Sequence, residues 1–166
     1  QPPAGPLIAN PGCYATAVIT AAAPLVRHAL IDGPLAVSAG SGVTGAGRTT
    51  DEAMSLGEMY GEVRAYKVLR HQHVPEIEAA LAKVGAATRV VLTTHLLPIA
   101  RGIFATLTAR LARPLSSEQL VECFRASYAG DPTVAIAATP EDVSLRKVVG
   151  TNTCMLGVAS DERSVV

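Results

Sequence analysis

Short runs of β-branched and apolar residues alternate irregularly with helix-forming segments along this chain. Strands are predicted at Leu35–Ala39, Arg64–Leu69, Thr88–Leu97, Gly102–Leu111, Val134–Ala137, Met155–Ala159 and Ser164–Val166. Helices are predicted at residues 13–31 with a bend at Pro24, from Thr49 to Met59, at Glu76–Val84 after Pro75, and from Ser116 to Tyr128. A regular strand–helix alternation, which builds an all-parallel sheet, is absent. The pattern therefore predicts an α+β fold, a mixed or antiparallel sheet with helices packed on one face.

The connection between two of the predicted strands is short. Only Pro98–Arg101 separates the strand at Thr88–Leu97 from the strand at Gly102–Leu111, a length typical of antiparallel neighbours. A chain of 166 residues suits a single domain. Because the chain stops inside the β-branched run Ser164–Val166, we expect residues 1–166 to be one domain of a longer protein.

Charge and composition exclude several classes of partner. Fourteen basic residues balance fourteen acidic ones, and tryptophan is absent, so a nucleic-acid-binding protein is not expected. No stretch of about 18 residues is continuously apolar, which argues against a membrane span. The three cysteines, Cys13, Cys123 and Cys154, are odd in number and widely spaced. We therefore expect neither a disulfide framework nor a zinc ribbon, and we expect a reducing compartment, the cytoplasm.

Cys13 has the sequence context of a nucleophile. Asn10 precedes a proline and is held extended, Gly12 permits a tight turn, and a helix starts at or just after Cys13. The dipole and the free N–H groups of a helix N-terminus stabilise a thiolate, and the same N–H groups can stabilise an oxyanion. Cys123, at a core position of a predicted helix, and Cys154, in an apolar strand segment, are predicted to be packing residues.

A glycine-rich loop spans Gly40–Gly47. It lies between a predicted strand and a predicted helix, and its successive N–H groups are expected to form an anion-binding nest. Hydroxyl groups and Arg48 would add donors. The loop is neither a Walker A motif nor a complete dinucleotide-binding fingerprint, because it lacks Gly-Lys-Ser/Thr and the later acidic residue. A plain flexible loop is the alternative.

Two histidines and a glutamate surround the start of the Glu76–Val84 helix. His71 and His73 are expected to point to one side of an extended segment, with Glu76 in the first helical turn. This set suits proton transfer beside a thiol, because an imidazole can protonate an oxyanion and a carboxylate can orient it. A metal site and a solvated helix entry are the alternatives. Arg101 suits either a substrate carboxylate or phosphate, or a surface acid.

Four segments together resemble the N-acetyl-γ-glutamyl-phosphate reductases of arginine biosynthesis. They are NPGCYAT (Asn10–Thr16), SGVTGAGR (Ser41–Arg48), HQHVPEI (His71–Ile77) and HLLPIARGI (His95–Ile103), and they span most of the chain. The resemblance implies the α+β C-terminal domain of a glyceraldehyde-3-phosphate-dehydrogenase-like enzyme. It also implies an NADP-binding Rossmann domain outside this chain and assembly into a homodimer or homotetramer. The family often has arginine at the position of Gln72, so no role is assigned to that side chain.

The resemblance also implies roles for particular residues. Cys13 would attack an acyl phosphate, His73 would donate a proton with support from His71, and Glu76 would orient a histidine or the substrate. Substrate contacts are expected from Asn10, Ser41, Gly42, Thr44, Gly45, Arg48 and Arg101. Gly45 and Ala46 are expected on the nicotinamide side of the NADP site. The domain alone is expected not to turn over.

Other functions fit parts of this pattern. An N-acetyl-aminoadipyl-phosphate reductase of lysine biosynthesis differs by one methylene in its substrate, and aspartate-semialdehyde dehydrogenase shares the chemistry but fits the two-histidine segment worse. A Cys–His hydrolase or acyltransferase would act without a nucleotide. A dimerisation module would have no catalysis at all.

Overall fold

The computed structural model describes Gly5, residues 10–46, Glu52 and residues 55–166. Its helices are α1 (Cys13–Arg27), α2 (His73–Val84), α3 (Ser117–Ser127) and α4 (Leu145–Val148). Its strands are β1 (Ile31–Ser41), β2 (Arg64–Tyr66), β3 (Val90–Leu96), β4 (Ile103–Leu111), β5 (Val134–Ile136), β6 (Cys154–Leu156) and β7 (Ser164–Val165). Short 3₁₀ turns lie at Val43–Ala46 and Pro140–Asp142.

The main sheet is mixed, as predicted. In the described part of the chain it has five strands in the order β2-β3-β1-β4-β7. β1 runs parallel to β3, and the other pairs are antiparallel. The strands β5 and β6 form a separate parallel pair. These pairings confirm the α+β fold class.

The prediction that β3 and β4 are neighbours is wrong, because β1 lies between them. The segment after β3 crosses over the end of β1 instead. The N–H groups of Gly42, Val43 and Thr44 donate to the carbonyls of Gly102, Ile99 and Ala100, at 3.0, 3.0 and 3.1 Å. A link of this length can span two strand spacings, about 10 Å, as easily as one, so its length alone did not choose between the two arrangements.

The helices cover one face of the sheet, as predicted. Alternate residues of the strands face the helices and form one core, which includes Leu35, Val37, Leu92, Val18, Leu81 and Leu120. On the other face, Ser38 of β1 pairs with Thr93 of β3 and with Thr106 of β4. Ser38 and Thr106 are exposed, and Thr93 is half-buried. The sheet is therefore buried on one side and open on the other within this chain.

Helix α1 ends at Arg27 rather than at residue 31. The chain turns through Ala29, whose φ is 49°, and residue 31 begins β1. Pro24 lies inside the helix without dividing it. Because proline lacks an N–H group, the Thr20 carbonyl loses its helical donor, and the hydroxyl of Tyr128 takes that place at 2.5 Å.

Several other predicted boundaries move. Strand β2 stops at Tyr66 instead of residue 69, since Lys67 and Leu69 take left-handed φ values of 47° and 58°. Helix α2 starts at His73, so Pro75 falls within its first turn. The predicted start of a helix at residues 49–51 lies outside the described residues, and residues 55–59 form turns rather than an α-helix.

The predicted start of α3 is confirmed. The Ser116 hydroxyl accepts the backbone N–H of Gln119, and the backbone N–H of Ser116 donates to the side-chain oxygen of Gln119. None of the helices in the described ranges is both long enough and apolar enough to cross a bilayer.

Candidate active site

Cys13 is the first residue of α1 and is exposed. The next residue, Tyr14, donates a hydrogen bond from its hydroxyl to the carbonyl of His95 at 3.3 Å. His95 lies near the carboxyl end of β3, beside the carboxyl end of the parallel strand β1. The carboxyl ends of parallel strands are a common place for ligand sites, and the thiol is held at that edge of the sheet.

Gly12 joins the nucleophile segment to α2. Its N–H group donates to Oε1 of Glu76 at 3.1 Å. A β-carbon added at Gly12 would lie 2.2 Å from Nε2 of His73, so only glycine leaves room for this imidazole. The fold therefore brings together the segment of Cys13 and the side chains of His73 and Glu76. Glu76 accepts a hydrogen bond from the peptide before Cys13, and its predicted role in orienting a histidine or the substrate stays a prediction.

His71 and His73 form a pair, although the segment between them is not extended. Gln72 has helical dihedral angles of −59° and −20°, and the backbone N–H of His73 donates to Nδ1 of His71 at 3.2 Å. The two ring centroids are 4.7 Å apart. Burial lowers the pKa of His71, and the charges of His73 and Lys67 lower it further. His71 is therefore held neutral, with its proton on Nε2.

Two tyrosines that the sequence analysis did not single out complete the cluster. Tyr14 is 1% exposed, and its hydroxyl accepts a hydrogen bond from the Tyr66 hydroxyl at 3.1 Å. Burial raises the pKa of Tyr14, so the phenol stays protonated. The position of Tyr14 directly after Cys13 was the available signal, whereas nothing near Tyr66 in the sequence marked it.

Within the described residues 42–45, the glycine loop leaves no N–H group free for the predicted nest. The N–H groups of Gly42, Val43 and Thr44 are used by the crossing segment, and that of Gly45 donates to the Gly42 carbonyl at 3.2 Å. The Thr44 hydroxyl donates to the Ala100 carbonyl at 2.6 Å. The close crossing also explains Gly42, since an added β-carbon would lie 2.6 Å from that carbonyl oxygen.

The other predicted ligand contacts are placed as follows. Ser41 is 6% exposed at the end of β1, whereas Asn10, Gly45 and Arg101 are exposed. The backbone of Ala46 ends the 3₁₀ turn, and Arg48 lies outside the described residues. The ligand-binding roles of these residues stay predictions.

A family model for the semialdehyde dehydrogenase dimerisation domain matches residues 13–166. The chain belongs to this family. Among curated relatives, it is 44% identical over 160 residues to an N-acetyl-gamma-glutamyl-phosphate reductase of Bacillus cereus (strain AH187). It is 42% identical over 160 residues to one of Bacillus anthracis. Each alignment covers 95% of this chain and 46% of the relative, so the chain spans about half the length of the curated relatives it matches.

Solved structures support the fold of this semialdehyde dehydrogenase dimerisation domain. Aspartate semialdehyde dehydrogenase II from Vibrio cholerae superimposes with a TM-score of 0.70 at 15% identity, over 95% of this chain and 54% of that one. The enzyme from Francisella tularensis gives 0.69 at 13% identity, over 94% and 57%. These likenesses show the fold, and they agree with the predicted α+β class.

The cysteines of this semialdehyde dehydrogenase domain differ in their surroundings. All three are free thiols, with Cys13 exposed and both Cys123 and Cys154 half-buried. Burial raises the pKa of the Cys154 thiol. Of the three thiols, only that of Cys13 is both exposed and placed at a helix N-terminus.

Proposed function

We propose that this domain supplies the nucleophile, the proton donor and the subunit contact of an NADPH-dependent N-acetyl-γ-glutamyl-phosphate reductase. The observation that carries the proposal is the packing of His73 Nε2 against Gly12, directly before the exposed thiol of Cys13. This packing supports a nucleophile and a proton donor on neighbouring segments. The names of the curated relatives favour the glutamyl substrate.

Acyl transfer is the first step of the proposed reaction. The Cys13 sulfur forms a bond to the carbonyl carbon of the acyl phosphate. The bond from that carbon to the phosphate oxygen breaks, and phosphate leaves with the electron pair. The N-termini of α1 and α2 meet here, since Gly12 bonds to Glu76. Their dipoles favour the negative charge that develops on the carbonyl oxygen and on phosphate.

Proton transfer by His73 belongs to the second step. NADPH, when bound, would supply the hydride that reaches the thioester carbon. His73 donates a proton to the carbonyl oxygen, which gives a thiohemiacetal on Cys13. When the carbon–sulfur bond breaks, His73 takes the hydroxyl proton back, the aldehyde leaves, and Cys13 is released as the thiolate. Glu76 and Gly12 keep the sulfur and the imidazole adjacent throughout.

The described residues fit only part of an NADP site. The N–H groups of residues 42–45 are already used and offer no cradle for a pyrophosphate. Gly45 is exposed, and only the Ser41 hydroxyl, at 3.9 Å, lies near an added β-carbon. We assign the nicotinamide side to Gly45 and Ala46, and the rest of NADP to a Rossmann domain in another part of a longer protein. The free thiols suit a reducing compartment, and we assign the enzyme to the cytoplasm.

A turnover assay tests this function. We expect a full-length protein containing this domain to oxidise NADPH with N-acetylglutamyl 5-phosphate, and the domain alone not to do so. The aminoadipyl homologue should react about 10- to 200-fold more slowly, because it carries one extra methylene. Faster reaction with that homologue would reassign the substrate. Continuous hydrolysis of the acyl phosphate by the domain alone would favour a Cys–His hydrolase.

The open face of the sheet is the proposed contact with a second copy of the domain. Ser38, Thr93 and Thr106 lie side by side on it, and Phe104 is 41% exposed at the next outward position of β4. The family is described as a dimerisation domain. Small hydroxyl side chains allow two sheets to approach closely, and burying this face would complete the second side of the sheet.

A charge placed at the centre of this face should separate the subunits. We expect Ser38→Glu to shift the protein from dimer or tetramer toward monomer in sedimentation velocity, because two buried carboxylates would face each other. Ala82→Glu adds the same charge on an exposed position of α2 and should leave the assembly unchanged. A wild-type monomer, or equal effects of both variants, would contradict the assignment of this face.

A further inference from the structure

Tyr66 lies outside the proposed reacting groups but is tied to their neighbours at both ends. Its hydroxyl donates to the Tyr14 hydroxyl at 3.1 Å. Its carbonyl accepts a hydrogen bond from the hydroxyl of Thr94, whose side chain is fully buried on β3. Tyr66 therefore links the edge of the sheet to the first turn of α1, which carries Cys13.

A second route leads from Tyr66 to His73. The imidazole of His71 packs edge-on against Tyr66, with centroids 6.0 Å apart, and against Tyr14, with centroids 5.2 Å apart. His71 in turn accepts the backbone N–H of His73 on Nδ1. The two tyrosine rings thus determine where the His71 ring lies, and His71 holds the start of α2, where the His73 ring packs against Gly12.

Together these two routes form a ring of contacts through Tyr66, Tyr14, His71 and His73. Tyr14 is bonded to Tyr66 on one side and to the His95 carbonyl on the other, which anchors the turn of α1 that presents the thiol. We propose that Tyr66 is a positioning residue, which sets the placement of Cys13 relative to His73 through Tyr14 and His71. This inference rests on the proposed function, and it names the residue that keeps the nucleophile and the proton donor aligned.

The role matters because the reaction rate depends steeply on how well the reacting groups are aligned. A displacement of about 1 Å can reduce a rate by about 10²-fold. Without the Tyr66 hydroxyl, the Tyr14 hydroxyl loses its 3.1 Å hydrogen bond and keeps the longer one, 3.3 Å, to the His95 carbonyl, so the first turn of α1 is held less firmly. The ring of Tyr66 also packs against the main core and against a small apolar cluster of Val43, Met59 and Leu96, so a purely structural role is the competing explanation.

Tyr66→Phe separates these explanations, since it keeps the ring and removes the hydroxyl. Tyr128→Phe is the matched control, because its hydroxyl also bonds to α1, at the Thr20 carbonyl, well away from Cys13. In the full-length enzyme we expect Tyr66→Phe to lower kcat by about tenfold with little change in KM. Tyr128→Phe should lower the melting temperature and leave kcat unchanged. Thr94→Val, which frees the Tyr66 carbonyl, should lower kcat in the same direction as Tyr66→Phe.

A second readout does not depend on reductase activity. Iodoacetamide alkylation of Cys13 at pH 7, followed by mass spectrometry, reports how the helix N-terminus and His73 surround the thiol. We expect the rate to change at least about twofold in Tyr66→Phe and not in Tyr128→Phe. Equal kcat and equal alkylation in Tyr66→Phe and wild type would overturn the positioning role. The positioning role would also be overturned if kcat fell in both tyrosine variants only in proportion to their loss of stability. An enzyme with no reductase activity but with the alkylation difference would refute the proposed function and leave the positioning role standing.

Discussion

Replacing Cys13 with serine should abolish thioester formation and the reduction that follows it. A serine hydroxyl is far less nucleophilic than a thiolate at neutral pH, because it stays protonated there. We expect a loss on the order of 10⁴-fold or more in turnover of the full-length enzyme. In this domain alone, wild type should release one phosphate per site and gain the mass of the acyl group, and Cys13→Ser should do neither.

The matched control for this experiment is Cys123→Ser. Cys123 lies on α3 and is half-buried, so its replacement should cost some stability and leave acyl transfer intact. Residue-resolved alkylation should also label Cys13 before Cys123 and Cys154. Phosphate release by Cys13→Ser at the wild-type rate would refute the assignment of the nucleophile. Acylation of Cys123 would identify that residue as the nucleophile instead.

Replacing His73 with glutamine should lower kcat by about 10²- to 10⁴-fold, the usual contribution of a general acid. The amide is close in size to the imidazole and can fill the space beside Gly12, but it cannot deliver a proton. Because leaving phosphate needs no proton from the enzyme, acylation should suffer less than reduction. Rapid-quench experiments should therefore show a near-normal burst of phosphate followed by slow formation of aldehyde.

His28→Gln provides the control, because His28 follows the opposite end of α1. It should leave both the burst and the steady-state rate unchanged. If His73→Gln slows the burst and the later reduction equally, His73 acts on binding or on thiol activation rather than as the proton donor. An unchanged kcat would transfer that role to another residue, with His71 the next candidate.

Much of the candidate site was predictable because its signals are local. Gly12 before Cys13, and the start of a helix there, follow from backbone preferences of adjacent residues, and the Ser116 cap of α3 is encoded within four positions. Along β4, half-buried or buried residues alternate with exposed ones, as residue-by-residue alternation in a strand requires. These features depend on contacts between residues that are near in sequence, so they leave a readable pattern.

The function of the glycine loop was not predictable in the same way. The same small residues suit a nest of free N–H groups and a loop that is hydrogen-bonded to another segment. Only the crossing of residues 97–102 over β1 decided between them, because it brings the Ala100 carbonyl against Gly42. That crossing depends on β1 taking the central position of the sheet.

The amino-acid sequence by itself predicted the α+β class and the family, both of which are confirmed, and it singled out Cys13 and the histidine pair. The tertiary structure alone decided the strand order, the bond from Gly12 to Glu76, and the tyrosine pair. These contacts join residues 64 and 52 positions apart, and the bond from Tyr14 to His95 spans 81. Partners at such separations are chosen by how the helices and strands pack together, and no short stretch of sequence encodes that choice.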